Sequence, residues 1–581
     1  MKLELQKGSR SKVLAGLMLA MMAIFVARLF YLQVLQHGYY VDVAKSEQVK
    51  RLKIPAKRGL IYALDGETPV PMVMNQIVYT VFADPQMVND SNKIIDVIRQ
   101  VAGGNARADL QALLDKKDSR YQILATKITR IQADKIKAEN LKGIGFQENS
   151  QRVYPEGQLA SQTLGFVNNE GLGQYGVEEK LNDRLTGTDG ILQSVTDVSN
   201  VPLTIGNNNI NRPAINGEDI VLSIDRNVQS RVETALVDAL ARTGANEASA
   251  IVMDPQTGKI MAMANLPTYN QAEFNKVSDA AVFNNNVASK PYEPASIVKT
   301  FTFSAGIEKG VITPTSTYNN TDHIQVDDAI VSNATLGRTG ILTMQQVLNW
   351  SLNTGSVTVA QKLGDGQNIT REARNTIYDF FYNRFKLGQK TGVEVAGEAS
   401  GTIISPEEVE GNAVRYSNMT FGQGLDLTMV QVAAAFSSMI NGGNYYKPTV
   451  IGGIIGKDNV YLPSTYKIDS NSISKSTSDQ MREMIHNVRI SASSTLDKPG
   501  YYIGGKTGTA EVAQNGAYLT NKTIASYVGF GGSEDLSSYV IMVKIYSDSE
   551  DRAMRGSQEA GPIFTDISNW MLDYLKIQPK G

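Results

Sequence analysis

Hydrophobic and polar positions alternate differently in different parts of the chain. The run Val13–Leu35 is predominantly apolar with Arg28 as its only charge, and it exceeds the roughly 20 residues a helix needs to cross a bilayer. It predicts a membrane-spanning helix, with Arg28 in the second half, where a long side chain snorkels to the interface. Lys2, Lys7, Arg10 and Lys12 precede the run. They predict a cytoplasmic N-terminus and an extracytoplasmic remainder. A cleaved signal peptide is the other reading. The run is longer than a signal's apolar region of roughly 7–15 residues, and no clear small-residue cleavage site follows it.

From residue 36 to about 215 the pattern is mixed. Ile77–Phe82 has the alternation of a strand, and Ser91–Ala102 and Ala108–Leu114 carry helical periodicity. Asn207–Asn209 is the best candidate for a linker or loop. From Glu218 the pattern changes. Asp219–Ile224 predicts a strand, Val228–Arg242 an amphipathic helix, and Ala248–Asp254 with Lys259–Ala264 a hairpin about a Pro-Gln-Thr-Gly turn. A helix-rich middle follows. Tyr501–Val512, Thr523–Phe530 and Ser538–Tyr546 then have the length and alternation of consecutive antiparallel strands. Pro562–Leu575 predicts a last helix opened by a first-turn proline. Helices enclosed between strands from both ends of one segment imply a sheet covered by helices, in the α+β class.

Composition narrows the chemistry. At 581 residues the chain exceeds one domain. Lys+Arg 56 against Asp+Glu 58 gives a formal charge of −2, without the basic excess of a nucleic-acid binder. No Cys is present, which removes disulfides, a thiol nucleophile, Cys-ligated zinc and iron–sulfur clusters. His37, His323 and His486 are the only histidines and are widely spaced, which argues against a Ser-His-Asp triad or a His-rich metal centre. A nucleophilic serine in this chain needs another base.

Three short motifs supply one. Ser296-Ile297-Val298-Lys299 opens an apolar helix running to about Lys309, with Gly310 as its stop. Positions i and i+3 share a helix face, so Lys299 can reach Ser296, and a desolvated lysine can act as base. The spacing also occurs at Ser9–Lys12 and Ser472–Lys475. Ser351-Leu352-Asn353 ends a helix opened by the capping box Thr343-x-x-Gln346, and Thr354-Gly355 predicts a chain break before the next helix at about Ser356. Lys506-Thr507-Gly508-Thr509 lies in the middle of a predicted strand, where Lys506 and the threonines can bind a carboxylate and Gly508 permits close backbone approach. A second Lys-Thr-Gly stands at Lys390-Thr391-Gly392. The ordered set Ser-x-x-Lys, Ser-x-Asn, Lys-Thr-Gly is that of penicillin-binding proteins and class A β-lactamases.

The chain resembles a class B penicillin-binding protein, a monofunctional peptidoglycan D,D-transpeptidase, over nearly all its length. The resemblance rests on Ala27–Val34 at the anchor. It rests also on Arg58–Gly66, Arg152-x-Tyr154-Pro155-x-Gly157 and Gly173–Glu178 in the pedestal, and on Asp254–Ile260 and Phe421–Gly424 in the catalytic part. Two departures stand out. Ala63-Leu64-Asp65 replaces the usual Asp-Arg-Asn of the first pedestal block, and Pro294-Ala295-Ser296 replaces the usual Pro-Gly-Ser at the nucleophile. A methyl at 295 is tolerable where φ is negative. Lys390–Gly392 falls in a family block, Gly388–Gly401, outside the active site.

The resemblance implies a penicillin-binding/transpeptidase fold with an elongated pedestal and one transmembrane helix. It divides the chain into a tail 1–12, an anchor 13–35, a pedestal 36–215 and a transpeptidase domain 216–581. Ser296 is implied to attack the penultimate D-Ala carbonyl, Lys299 to take its proton, Ser351 to help protonate the leaving D-Ala, and Asn353 to bind peptide and hold Lys299. Lys506, Thr507, Gly508 and Thr509 handle the terminal carboxylate, and the backbone N–H groups of Ser296 and Thr509 form the oxyanion hole. β-Lactams acylate Ser296, and no metal or organic cofactor is required. The implied partners are stem peptides ending in D-Ala-D-Ala, the membrane, a SEDS-type glycosyltransferase and small division proteins, with no nucleic acid. Size, single anchor and Phe421–Gly424 lean to the division-type, FtsI-like branch. An elongation-type enzyme is the close rival. A non-catalytic divisome scaffold and a membrane β-lactam sensor are more distant ones.

Overall fold

The computed structural model describes residues 9–40, 49–195, 210–493, 496–514, 517–549 and 553–580; the candidate linker Asn207–Asn209 lies outside them. The chain divides into two compact units, Met1–Arg58 with Thr186–Gly217, and Gly59–Leu185 with Glu218–Gly581.

In the first unit, Ser9–Phe30 is an α-helix that continues as a π-turn over Tyr31–Leu35. Its Leu, Met and Ala content favours helix, and its apolar side chains are exposed. Arg10–Leu35 is the one helical stretch among the described residues long and apolar enough to cross a membrane. Val49–Ile54, Gly190–Val195 and Ile210–Arg212 form a three-stranded antiparallel sheet.

In the second unit, a seven-stranded sheet runs in the order Tyr461–Pro463, Ile451–Ile455, Asp219–Asp225, Ile61–Asp65, Thr68–Ala83, Gln122–Ile128, with Ile144–Val153 also on Thr68–Ala83. Ile77–Phe82 is thus the end of a longer strand. Asp219–Asp225 lies parallel to Ile61–Asp65. Two of the quoted family blocks meet here: Arg152 Nε donates to Glu178 Oε1 at 2.9 Å, with both side chains buried.

The C-terminal part of this unit is built on a second sheet. Helix α1 (Arg226–Thr243) is capped by Asp225, whose carboxylate accepts from the N–H groups of Asn227 and Val228, and is stopped by Gly244 at φ +70. Strands β1 (Glu247–Met253) and β2 (Ile260–Leu266) form the expected hairpin. Among the helices that follow are α2 (Lys299–Glu308), α3 (Met344–Trp350), α4 (Asn353–Lys362) and α5 (Met429–Ile440). After α6 (Lys475–Ser493) come β3 (Gly504–Gln514), β4 (Ala517–Gly532), β5 (Ser537–Tyr546) and α7 (Gly561–Tyr574). The sheet order is β2-β1-β5-β4-β3, all antiparallel, with β3 at the edge.

Alternation along these strands divides the core in two. Tyr539, Ile541 and Val543 of β5 pack with Val232 and Leu236 of α1 and Phe564 and Ile567 of α7. Val540 and Met542 face the opposite side, with Phe301 of α2 and Phe436 of α5. The sheet therefore has helices on both faces, the α+β arrangement expected from the order of elements.

Candidate active site

The nucleophile candidate lies on a strained turn. Ala295–Ile297 forms one 3₁₀ turn before α2 begins at Lys299. Ala295 has φ +48, so the negative φ that would make its methyl tolerable is not what the fold adopts. The left-handed conformation costs an alanine roughly 1–2 kcal/mol. The turn is held from outside: Ala295 N–H donates to Gly422 O at 3.1 Å. Gly422 itself has φ +88, and a Cβ there would lie 2.0 Å from Ala295 O. The family block Phe421–Gly424 thus supports the residue before Ser296.

Lys299, one turn on, is fully buried. Its Nζ lies 2.9 Å from Ser296 Oγ, 2.8 Å from Asn353 Oδ1, 2.5 Å from Ser351 O and 3.2 Å from Ser351 Oγ. Asn353 Nδ2 donates to Ser332 O at 2.9 Å, which fixes the amide so that Oδ1 faces the lysine. Burial, and then the neighbouring Lys506, hold the Lys299 amine well below the ordinary lysine range.

The second motif differs in local structure from its expectation. The capping box Thr343–Gln346 is present, but the chain breaks at Ser351 and Leu352, not at Thr354-Gly355. Ser351 is left-handed (φ +59), Leu352 is extended, and α4 already begins at Asn353. Gly355 lies inside the helix because α3 crosses close to it: an added Cβ would lie 2.4 Å from Val347 Cγ1. Thr354 N–H donates to Asn333 Oδ1 at 3.1 Å, which anchors the first turn of α4.

The third motif lies on the edge strand β3. Lys506, buried, donates to Ser351 Oγ at 2.9 Å and to Thr507 O at 3.4 Å. Burial lowers its amine to about 8. Gly508 sits where a Cβ would lie 2.5 Å from both Pro294 O and Ser526 Oγ, so only glycine lets the edge strand lie against the Ser296 turn. Thr507 is half-buried and Thr509 exposed, and Thr509 Oγ1 accepts from Gly556 N–H at 3.0 Å. A cavity of about 280 Å³ opens beside Ser351, Lys506 and Thr507, walled by Trp350 and Tyr527.

The fold therefore gathers Ser296, Lys299, Ser351, Asn353 and Lys506 into one hydrogen-bonded cluster, with Thr507, Gly508 and Thr509 along its edge. Lys390-Thr391-Gly392 is elsewhere and does a structural job: Thr391 N–H and Gly392 N–H donate to the Glu398 carboxylate at 2.6 and 3.0 Å. Two polar groups that the motifs did not single out support the loops and helix around the site. Glu293 accepts from Gly424 N–H at 2.7 Å, and Asn333 anchors α4.

Comparison with known proteins shows the family. Residues 248–569 match the penicillin binding protein transpeptidase domain and residues 53–222 the penicillin-binding protein dimerisation domain. The chain belongs to the class B penicillin-binding proteins. Among relatives of this family, Stage V sporulation protein D of Bacillus subtilis is 29% identical, over 96% of this chain and 84% of its own length. Peptidoglycan D,D-transpeptidase FtsI of Escherichia coli is 26% identical, over 98% and 92%. Penicillin Binding Protein 2X of Streptococcus thermophilus shares the fold with TM-score 0.72 at 24% identity, covering 91% of this chain and 80% of that one. Penicillin binding protein 3 of Mycobacterium tuberculosis, solved with aztreonam, has TM-score 0.68 at 23% identity, covering 91% and 98%.

Proposed function

We propose that this class B penicillin-binding protein cross-links peptidoglycan stem peptides through an acyl-enzyme on Ser296. The observation that carries the reading is the set of neighbours around Lys299. A neutral amine has two N–H groups and one lone pair. Two acceptor-only atoms, Asn353 Oδ1 and Ser351 O, take the N–H groups. The lone pair is left for the Ser296 hydroxyl at 2.9 Å.

In this mechanism Ser296 Oγ bonds to the penultimate D-Ala carbonyl carbon as its proton passes to Lys299. Ser351, between Lys299 and Lys506, relays a proton to the departing amine as the C–N bond breaks and D-Ala leaves. An amine from a second stem then attacks the ester, gives up a proton by the reverse path and frees Ser296. Lys506, Thr507 and Thr509 bind the terminal carboxylate. The N–H groups of Ser296 and Thr509 stabilise the oxyanion, each donor being worth about 2.7–4 kcal/mol in other enzymes. β-Lactams acylate the same serine. Ser296→Ala tests the assignment: loss of covalent labelling by a fluorescent penicillin in a folded protein supports it, and persistent labelling at the same site sinks it.

The division role is the finer reading. It is supported by the likeness to FtsI across 98% of this chain and by the apolar helix Arg10–Leu35. In this reading residues 1–12 are cytoplasmic, 13–35 anchor the chain, and the pedestal 36–215 and transpeptidase domain 216–581 are extracytoplasmic. A SEDS-type glycosyltransferase and division proteins engage the anchor and pedestal. Depletion in the source cell decides the role: filaments indicate division, rounded cells the elongation-type alternative.

A further inference from the structure

The sheet carries a buried amine that the reaction above does not use. Lys544 lies in a lateral row, Gly508–Ser526–Lys544–Ser249, across β3, β4, β5 and β1. It faces the same side as Val540 and Met542, where strand alternation calls for an apolar residue. The side chain is 3% exposed, and its Nζ lies 4.9 Å from the centre of the Tyr292 ring. Among the described residues it has no hydrogen-bond or ion-pair partner.

Lys544 opens onto a cavity of about 260 Å³ that is also lined by Tyr292, Glu293, Glu511 and Val512. Lys290 and Glu247, at the same cavity, are paired with each other at 2.6 Å, and Asp426 adds another carboxylate. Glu293 accepts from Gly424 N–H at 2.7 Å and Tyr518 Oη at 3.2 Å, with no cation in salt-bridge distance among the described residues. Burial pushes Glu293 up and Lys544 down to about 8. Glu247 and Arg415 act on Lys544 and Glu293 only at longer range, so the cavity holds a buried ammonium with no direct ion-pair partner among the described residues and a carboxylate held only by hydrogen bonds, both open to a ligand that carries both charges.

Its position relative to the catalytic cluster suggests the ligand. The terminal carboxylate of a stem peptide is placed at Thr507 and its scissile carbonyl at Thr509. Strand rise is about 3.3 Å per residue, so the peptide's upstream residues run alongside Glu511 and Val512. The residue before D-Ala-D-Ala therefore reaches the mouth of this cavity.

We propose that the cavity is a subsite for a zwitterionic amino-acid group, its carboxylate meeting Lys544 and its ammonium meeting Glu293 and Glu511. The occupant is the side chain of the residue preceding D-Ala-D-Ala, when that side chain ends in a carbon bearing both groups, as in diaminopimelate. A lysine side chain supplies only the ammonium and leaves Lys544 unpaired. This inference rests on the transpeptidase reading and names the stem-peptide class it selects.

The test uses the full chain in detergent and two synthetic stem pentapeptides ending in D-Ala-D-Ala, one with diaminopimelate and one with lysine at the third position. Release of D-Ala is measured as kcat/KM. The wild type is expected to favour the diaminopimelate peptide roughly ten- to a hundredfold, the worth of one hydrogen-bonded charge. Lys544→Met is expected to bring that ratio close to one. Equal turnover of the two peptides by the wild type overturns the subsite without recourse to any variant. An unchanged ratio in a folded Lys544→Met protein also overturns it. Penicillin labelling of Ser296 in the wild type separates the two readings: labelling without selectivity defeats the subsite alone, and absent labelling defeats the transpeptidase reading.

Discussion

Lys506 Nζ donates to Ser351 Oγ at 2.9 Å, and the same hydroxyl stands 3.2 Å from Lys299 Nζ. One serine thus joins two buried lysines whose required charges differ. In the proposed reaction Lys299 must be neutral to accept a proton, and Lys506 must be charged to bind a carboxylate. Burial lowers both, and Lys299 further because it also feels the charge of protonated Lys506. The acylation rate is therefore expected to rise on the acid side as Lys299 loses its proton and to fall as pH passes about 8, where Lys506 loses its own. Lys506→Arg keeps the cation at all accessible pH. Stopped-flow acylation by a chromogenic β-lactam should show the alkaline limb in wild type and none in Lys506→Arg. An alkaline limb retained in that variant assigns it to another group.

Removing the base should be far more damaging than removing its supports. Lys299→Met is expected to slow acylation by about 10²–10⁴-fold, the usual worth of a positioned proton acceptor. The same assay on Ser351→Ala separates the relay from the base: its loss should fall mainly on D-Ala release from peptide, since a strained β-lactam needs less help with its leaving group. A Lys299→Met protein that acylates near the wild-type rate would mean another base acts.

The strain before the nucleophile makes two opposite predictions. Ala295→Gly removes a methyl from a residue at φ +48 and is expected to stabilise the protein by about 0.5–1 kcal/mol, strain relief less the backbone entropy of glycine. Gly422→Ala places a methyl 2.0 Å from Ala295 O, at φ +88. It must push the Ser296 turn off Lys299, and penicillin labelling should fall together with the thermal midpoint. Thermal unfolding of both variants checks the signs.

The candidate cluster was legible where it depended on residue type and spacing. The three motifs named Ser296, Lys299, Ser351, Asn353 and Lys506, and the strand and helix context separated Lys506 from Lys390. What was hidden depended on long-range packing. Gly355 reads as a breaker, yet it is helical because Val347 leaves no room for a side chain. Ala295 reads as tolerable only where φ is negative, and its φ depends on Gly422, more than a hundred positions away, whose carbonyl takes the Ala295 N–H of a left-handed residue. Lys544 did leave a local trace, a lysine at an inward position of β5, but its meaning required knowing that Tyr292 covers it. The seven-stranded sheet joins Ile61–Asp65 to Asp219–Asp225, a parallel pairing across a long separation that periodicity does not encode.

Lys544 also makes a prediction about stability, with a sign that follows from linkage. Its amine is at about 8 in the fold against 10.5 for an ordinary lysine. Between those values the unfolded chain holds a proton that the folded chain has released. Unfolding then takes up a proton, so stability rises with pH across that window, with a limiting slope of about 1.4 kcal/mol per pH unit for one group. Below about 8 both states carry the proton and the contribution is flat. Lys544→Met removes the group from both states. The wild type is therefore expected to gain stability relative to Lys544→Met as pH rises from 8 to 10, read as the difference between their thermal midpoints at each pH. Groups beyond the reach of its charge titrate alike in the two proteins and cancel, and Lys290 and Glu247, which share its cavity, are the ones that feel the loss of that charge. A difference that stays constant from pH 7 to 10 would show that Lys544 titrates as an ordinary exposed lysine, through water reaching its Nζ.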